Sequence, residues 1–141
     1  MYSTRPAQQS DYEFLFELKK AAELEPIKAV FGWDESVQRD IHQAEWSQAK
    51  PTIIEVDGQS VGSYLVQKHD TYWYFGRFFL LPEAQGGGIG TKILRLILDQ
   101  ADKANMPVQL CYLQGNRVGQ LYQRLGFTVT SEDAQFVHMR R

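Results

Sequence analysis

The stretch Leu80-Leu-Pro-Glu-Ala-Gln85-Gly-Gly-Gly-Ile-Gly90-Thr-Lys-Ile-Leu-Arg95-Leu-Ile-Leu-Asp-Gln100-Ala-Asp-Lys-Ala104 decides how the rest of this chain is read. Its head ends an apolar run that Pro82 stops. Its tail, Gly88 to Ala104, is an amphipathic helix: Ile89, Ile93, Leu96, Ile97, Ala101 and Ala104 fall on one side at helical spacing, and Thr91, Lys92, Arg95, Asp99, Asp102 and Lys103 take the other. Between them lie Gly86, Gly87, Gly88 and Gly90. A helix N-terminus leaves amide N–H groups without partners and carries partial positive charge. Glycines at that point let a phosphate come close to the backbone. The plain alternative is a connector whose glycines serve only turns, but turn chemistry alone does not call for four of them in five positions.

Two better-known phosphate loops fail on residues. The Walker pattern needs Gly-Lys-Ser/Thr at its end, and here Thr91-Lys92 follow Gly90 in the wrong order. The dinucleotide pattern Gly-x-Gly-x-x-Gly fits Gly86 and Gly88 but meets Thr91 at its last place. Its acidic residue about twenty positions on is also missing, since Cys111 and Tyr112 lie there.

Working outward from the loop, Tyr72–Leu81 reads as a long strand with a backbone irregularity at Gly76. Before it come strands at Thr52–Val56 and Val61–Lys68, joined by the hairpin signal Asp57-Gly58. The N-terminal third offers a strand at Tyr2–Arg5 and a helix capped by Ser10 or Asp11, with Phe14, Leu15, Leu18, Ala21 and Ala22 inward, ended or broken at Pro26. A loop at Phe31–Glu35 leads to a second helix, capped by Asp34, carrying Val37, Ile41, Ala44 and Trp46 as its apolar residues. After the glycine helix come a strand at Val108–Leu113, a short helix at Arg117–Leu125 and closing strands at Phe127–Thr130 and Gln135–Met139. The order β-α-α-β-β-β-α-β-α-β-β predicts one α/β domain over residues 1–141, helices packed on a mixed sheet.

Composition bounds the function. Of 141 residues, 15 Lys+Arg against 17 Asp+Glu give a net charge of −2, which argues against nucleic-acid or membrane-surface partners. One cysteine excludes an internal disulfide and any multi-thiolate metal cluster, so no metal is expected. The N-terminus has no apolar signal region and no run is long enough to span a bilayer, which predicts a cytoplasmic protein.

The pattern left by elimination is Gln-x-x-Gly-x-Gly at Gln85, Gly88 and Gly90. With the Leu80-Leu-Pro82 lead-in and the helix behind it, it resembles the pyrophosphate-binding motif of the GNAT superfamily of acetyl-coenzyme A dependent N-acetyltransferases. Asn116-Arg-Val-Gly-Gln-Leu-Tyr-Gln-Arg-Leu-Gly-Phe127 is similar to that superfamily's next motif. The likeness is specific from Leu80 to Phe127 and looser before it. It implies a mixed, mostly antiparallel central sheet with a splayed parallel pair, Tyr72–Leu81 and Val108–Leu113. It further implies that backbone groups at Phe79 and Leu81, flanking Leu80, pair with the pantetheine arm of acetyl-coenzyme A. By the same likeness Gln85, Gly86, Gly87, Gly88, Ile89, Gly90 and Thr91 would hold the pyrophosphate, Asn116 would bond the donor, and Tyr122 would face the sulfur. Each has a plainer reading: Asn116 fits a helix cap, and Tyr122 fits a core aromatic.

The implied reaction is direct attack of an amine on the acetyl thioester. A lysine-like amine, pKa ~10.4, costs about 4.6 kcal/mol to hold neutral at pH 7. Proton transfer from tyrosine, pKa ~10, to a thiolate near ~8.5 is uphill by about 2 kcal/mol, so a hydrogen bond to the sulfur supplies most of the stabilisation. Many relatives carry a basic glutamate on the long strand; here that strand has only Arg77. Asp34 and Glu35 are candidates for the base, against a capping and first-turn role. Phe31 and Trp33, with Asp34 and Glu35, offer an aromatic and anionic acceptor site for a small-molecule or protein amine. A homodimer, common among similar proteins, is expected too. The rival functions are a noncatalytic acyl-coenzyme A binding module and a nucleotide-binding protein.

Overall fold

The computed structural model describes residues 1–141. Its elements follow the expected order: β1 (Tyr2–Pro6), α1 (Tyr12–Val30), α2 (Glu35–Gln48), β2 (Thr52–Val56), β3 (Gln59–Lys68), β4 (Trp73–Leu80), α3 (Ile89–Lys103), β5 (Val108–Leu113), α4 (Val118–Arg124), β6 (Thr128–Glu132) and β7 (Phe136–Arg140). The strands form one seven-stranded sheet in the order β1-β2-β3-β4-β5-β7-β6. The β1–β2, β2–β3, β5–β7 and β6–β7 pairs are antiparallel. β4 and β5 are parallel and register only at Trp73↔Val108 and Tyr74↔Gln109. This is the mixed α/β sheet with one short parallel pair that the sequence leads one to expect.

The chain divides into two compact units. The first, Met1–Leu65 with Arg77–Gln85, has a core of Leu15, Leu18, Trp46 and Ile53, against which Phe14, Phe79 and Leu81 pack. Here α1 does not stop at Pro26 but runs through it to Val30. The ring costs one intrahelical bond. Ile27, 4% exposed, anchors the following turn, and Phe31 N–H to Ile27 O (2.8 Å) and Gly32 N–H to Lys28 O (3.1 Å) close it.

α2 turns in only part of the face its sequence suggests: Trp46 is buried, but Val37 and Ile41 are exposed and Gln38 and His42 are buried in their place. His42 is tolerated inside because its Nε2 bonds Tyr12 O at 2.9 Å. Arg77 fixes the other end of the helix. Its Nη1 donates to the carbonyls of Glu45 (3.0 Å) and Ala49 (2.7 Å), its Nη2 to Gln48 Oε1 (3.0 Å). A cation there also suits the helix dipole. The irregularity expected at Gly76 falls one residue later: Arg77 takes φ +49°, and its carbonyl accepts from the buried Ser63 hydroxyl at 3.0 Å.

The second unit is Val66–Gly76 with Gly86–Arg141. α3 buries Ile93, Leu94, Ile97, Leu98 and Ala101, each large apolar side chain contributing about 1.5–3 kcal/mol. The buried stripe shares Ile93, Ile97 and Ala101 with the one expected but extends to the other flank: Leu94 and Leu98 are in, whereas Leu96 (51% exposed) and Ala104 are out. Val108, Leu110, Val137 and Met139 are buried on the sheet. β6 is the last strand in the order, exposed along its length, with a register shift between Val129 and Ser131 that leaves Thr130 as an extra residue.

Candidate active site

In the second unit the glycine turn leads into α3. Gly86 and Gly88 hold φ of +81° and +86°, a region that side-chain-bearing residues rarely enter. A Cβ built on Gly86, Gly87 or Gly88 would meet nothing within 4 Å, so space lies open above that backbone. Gly88 is the N-cap, and no side chain caps the helix. The first intrahelical bond runs from Lys92 N–H to Gly88 O (3.0 Å), so the amides of Ile89, Gly90 and Thr91 come before the ladder begins. Gly90 is buried; Ile89 and Thr91 are half-buried. Open space, left-handed glycines and an uncapped helix of 15 residues fit a pyrophosphate.

Tyr122 projects from α4 and is 5% exposed. Its ring sits among Phe75 (6.5 Å between centroids), Tyr112 (5.9 Å) and Phe127 (5.7 Å). The core-aromatic reading of Tyr122 thus describes its packing, which would also hold the ring in one orientation. Tyr112 reaches α4 because residue 119 is glycine: an added Cβ there would run into the Tyr112 hydroxyl. Burial, with a smaller contribution from Glu132, pushes the Tyr112 phenol up, so it stays protonated. Sequence reading passed over Tyr112 and Gly119, although an aromatic on β5 facing a helical glycine was a usable signal. Asn116 serves α4 locally, its Oδ1 accepting from Val118 N–H at 3.0 Å.

In the first unit, Leu81 N–H donates to Val61 O (2.8 Å) and Leu81 O accepts from Ala84 N–H (2.9 Å), so both its backbone groups are taken. A Cβ on Gly62 would meet Phe79 O at 2.5 Å, which puts that carbonyl on the β3 side as well. The Phe79 carbonyl and the Leu81 amide, expected to meet the donor, are thus directed at β3. Leu80, between them, faces the other way by strand alternation, and its carbonyl accepts from Gln85 Nε2 at 2.9 Å.

The residues expected at the acceptor site are engaged with one another and with the nearby helices. Asp34 Oδ1 caps α2 through Val37 N–H (3.1 Å). Glu35 Oε1 accepts from Trp33 Nε1 (2.9 Å) and Lys20 Nζ (3.1 Å). Those two bonds, Trp33's first, hold the Glu35 carboxyl below its ordinary value, which makes it a poorer base. Lys20 also lies 5.7 Å over the Trp33 ring. Phe31 is 53% exposed. Trp33, Asp34 and Glu35 thus form one local cluster.

The family model described as "Acetyltransferase (GNAT) domain" matches residues 48–129. No curated protein matches the chain. Among solved structures, the PaiA N-acetyltransferase of Thermoplasma acidophilum in complex with coenzyme A is similar at 18% identity and TM-score 0.79, over 100% of this chain and 98% of its own. PH1933 of Pyrococcus horikoshii OT3 gives 19%, TM-score 0.78, 100% and 98%. The ribosomal-protein-S18-alanine N-acetyltransferase of Escherichia coli gives 15%, TM-score 0.73, 99% and 92%.

Proposed function

The chain belongs to the GNAT acetyltransferase family, and from that premise we propose that it transfers the acetyl group of acetyl-coenzyme A to a primary amine by direct attack. The observation that carries the reading is the uncapped start of α3 beneath an open turn with glycines at φ +81° and +86°. In this reading the amides of Gly86–Thr91 hold the pyrophosphate and Asn116 bonds the donor near its pantetheine. Leu80, in place of Phe79 and Leu81, offers backbone to the arm. Tyr122, held by three aromatic rings, donates a hydrogen bond to the departing sulfur.

The base is a matter of exclusion so far as side chains go. Arg77 is bound to α2, Asp34 caps that helix, and Glu35 is held in its charged form by Trp33 and Lys20. A water relay, or an acceptor less basic than lysine, supplies the neutral amine. The acceptor is a small molecule or a protein amine, met near Phe31 and Trp33. A cytoplasmic location and a homodimer belong to the same proposal, the former supported by sparse cysteine use.

The test is a thermal shift paired with thiol release over an amine panel. Acetyl-coenzyme A is expected to raise the melting temperature, ATP and NAD not to, and at least one amine to release free thiol. Gly88→Val is expected to abolish donor binding, because the side chain enters the phosphate's space and the φ. Donor affinity in Gly88→Val equal to wild type contradicts the cradle. Donor binding without thiol release from any amine favours the noncatalytic binding module.

A further inference from the structure

A second concavity lies wholly within the second unit, away from the glycine turn along the chain. It is a cavity of about 310 Å³ lined by Tyr74, Gln109, Thr130, Ser131, His138 and Arg140, with Leu110 and Met139 behind. That volume sits at the small end of ligand sites.

Strand register explains why these side chains converge. Gln109 pairs with Arg140 and Cys111 with His138 across β5–β7, and Thr128 pairs with Arg140 and Ser131 with His138 across β6–β7. Paired residues share a face, so Gln109, Arg140 and Thr128 form one row and Cys111, His138 and Ser131 the next. The extra residue at Thr130 adds a second hydroxyl beside Ser131, anchored by Thr130 Oγ1 to His138 O at 3.3 Å. Tyr74 Oη donates to Cys111 Sγ at 3.1 Å, and burial first, then that bond, raises its pKa and keeps the phenol protonated.

The lining is rich in donors and holds no carboxylate. Glu132 registers with Val137, on the opposite face, and accepts from Gln114 Nε2 (3.0 Å). Asp133 accepts from the Gln135 and Phe136 amides, both at 2.8 Å. Arg5, Arg39, Arg77 and Arg141 each have a carboxylate partner, Arg141 taking Asp102 at 3.0 Å. Arg140, the neighbouring residue, has none, like Arg95, Arg117 and Arg124, but it alone of these four lines the cavity. A planar guanidinium without a carboxylate, beside an imidazole and two hydroxyls, matches a forked oxyanion.

We propose that this cavity binds a small oxyanion, a carboxylate or a phosphate, with Arg140 as its principal anchor, His138 beside it, and Ser131, Thr130 and Gln109 completing the polar wall. The proposal does not depend on the acetyltransferase reading.

The experiment is a residue-resolved ¹H–¹⁵N NMR titration of the whole chain with inorganic phosphate and, separately, succinate, with ionic strength matched by sodium chloride. Saturable shifts are expected at Gln109, Thr130, Ser131, His138 and Arg140 with at least one anion. The tighter of the two identifies whether phosphate or carboxylate is preferred. Phosphate signals at Gly86–Gly90 report the other site and are scored apart. Arg140→Gln, an exposed change, is expected to weaken binding about tenfold or more, ~1.4 kcal/mol. Arg95→Gln, an exposed arginine on α3, is the control and leaves it unchanged. Shifts that rise without saturation for both anions, or equal affinity in Arg140→Gln and wild type, overturn the proposal.

Discussion

Tyr122 shows how packing and chemistry share one side chain. Its ring fills a space between Phe75, Tyr112 and Phe127, so Tyr122→Phe keeps the packing and removes only the oxygen. Turnover is expected to fall tenfold or more, ~1.4 kcal/mol per decade, with donor affinity nearly unchanged; steady-state kinetics beside a binding titration check this, and unchanged turnover removes Tyr122 from the reaction. Tyr122 and Asn116 could be nominated from sequence because they stand in a short contiguous motif. The direction of the Leu81 amide could not. Which way a strand residue turns its polar groups depends on register with β3, and no local pattern in Thr71–Pro82 reveals that register.

Elements were read more reliably than their orientation. The order of helices and strands followed from period and turn residues, yet α3 and α2 are each rotated in part from the faces expected, keeping Ile93, Ile97, Ala101 and Trp46 inside. In α3 the run Ile93-Leu-Arg-Leu-Ile-Leu98 puts Leu94 and Leu98 on one flank of the Ile93–Ile97 line and Leu96 on the other, so spacing alone does not choose the flank. In α2 the choice is made by partners distant in sequence: His42 bonds Tyr12 O, and Arg77 donates to the carbonyls of Glu45 and Ala49. Arg77→Met should therefore loosen α2 specifically. Losing charged hydrogen bonds to part-buried carbonyls is expected to cost about 1.5–3 kcal/mol in chemical denaturation. Arg77→Lys should recover little, since an ammonium cannot fork across Glu45 O, Ala49 O and Gln48. Full stability in Arg77→Met would show that the clasp is dispensable.

For the molecule as a whole, acid sensitivity is written into one ion pair. Asp11, 6% exposed, accepts from Arg5 Nη1 (2.8 Å) and Nη2 (2.9 Å) and from Gln8 N–H (2.7 Å). The Arg5 bonds come first in holding its carboxyl below the ordinary 3.8, with burial opposing. A depressed folded value means that the stabilisation is complete above the unfolded carboxyl's pKa, ~3.9, and is lost as pH falls through the folded one. Asp11→Asn should be less stable than wild type at neutral pH by about 1–3 kcal/mol. The gap should close as acid protonates Asp11. Melting curves at several pH values test this, and a gap as wide in strong acid as at neutrality refutes it.

The kink at Thr130 has a consequence for life in a crowded solution. A sheet's last strand displays a comb of bare amides and carbonyls on which another chain can zip. Here one tooth is out of step, and the negative charge of Glu132 follows it. The same displaced residue that brings an extra hydroxyl to the Arg140 cavity spoils that comb, so the open border resists runaway polymerisation without needing a helix to cover it.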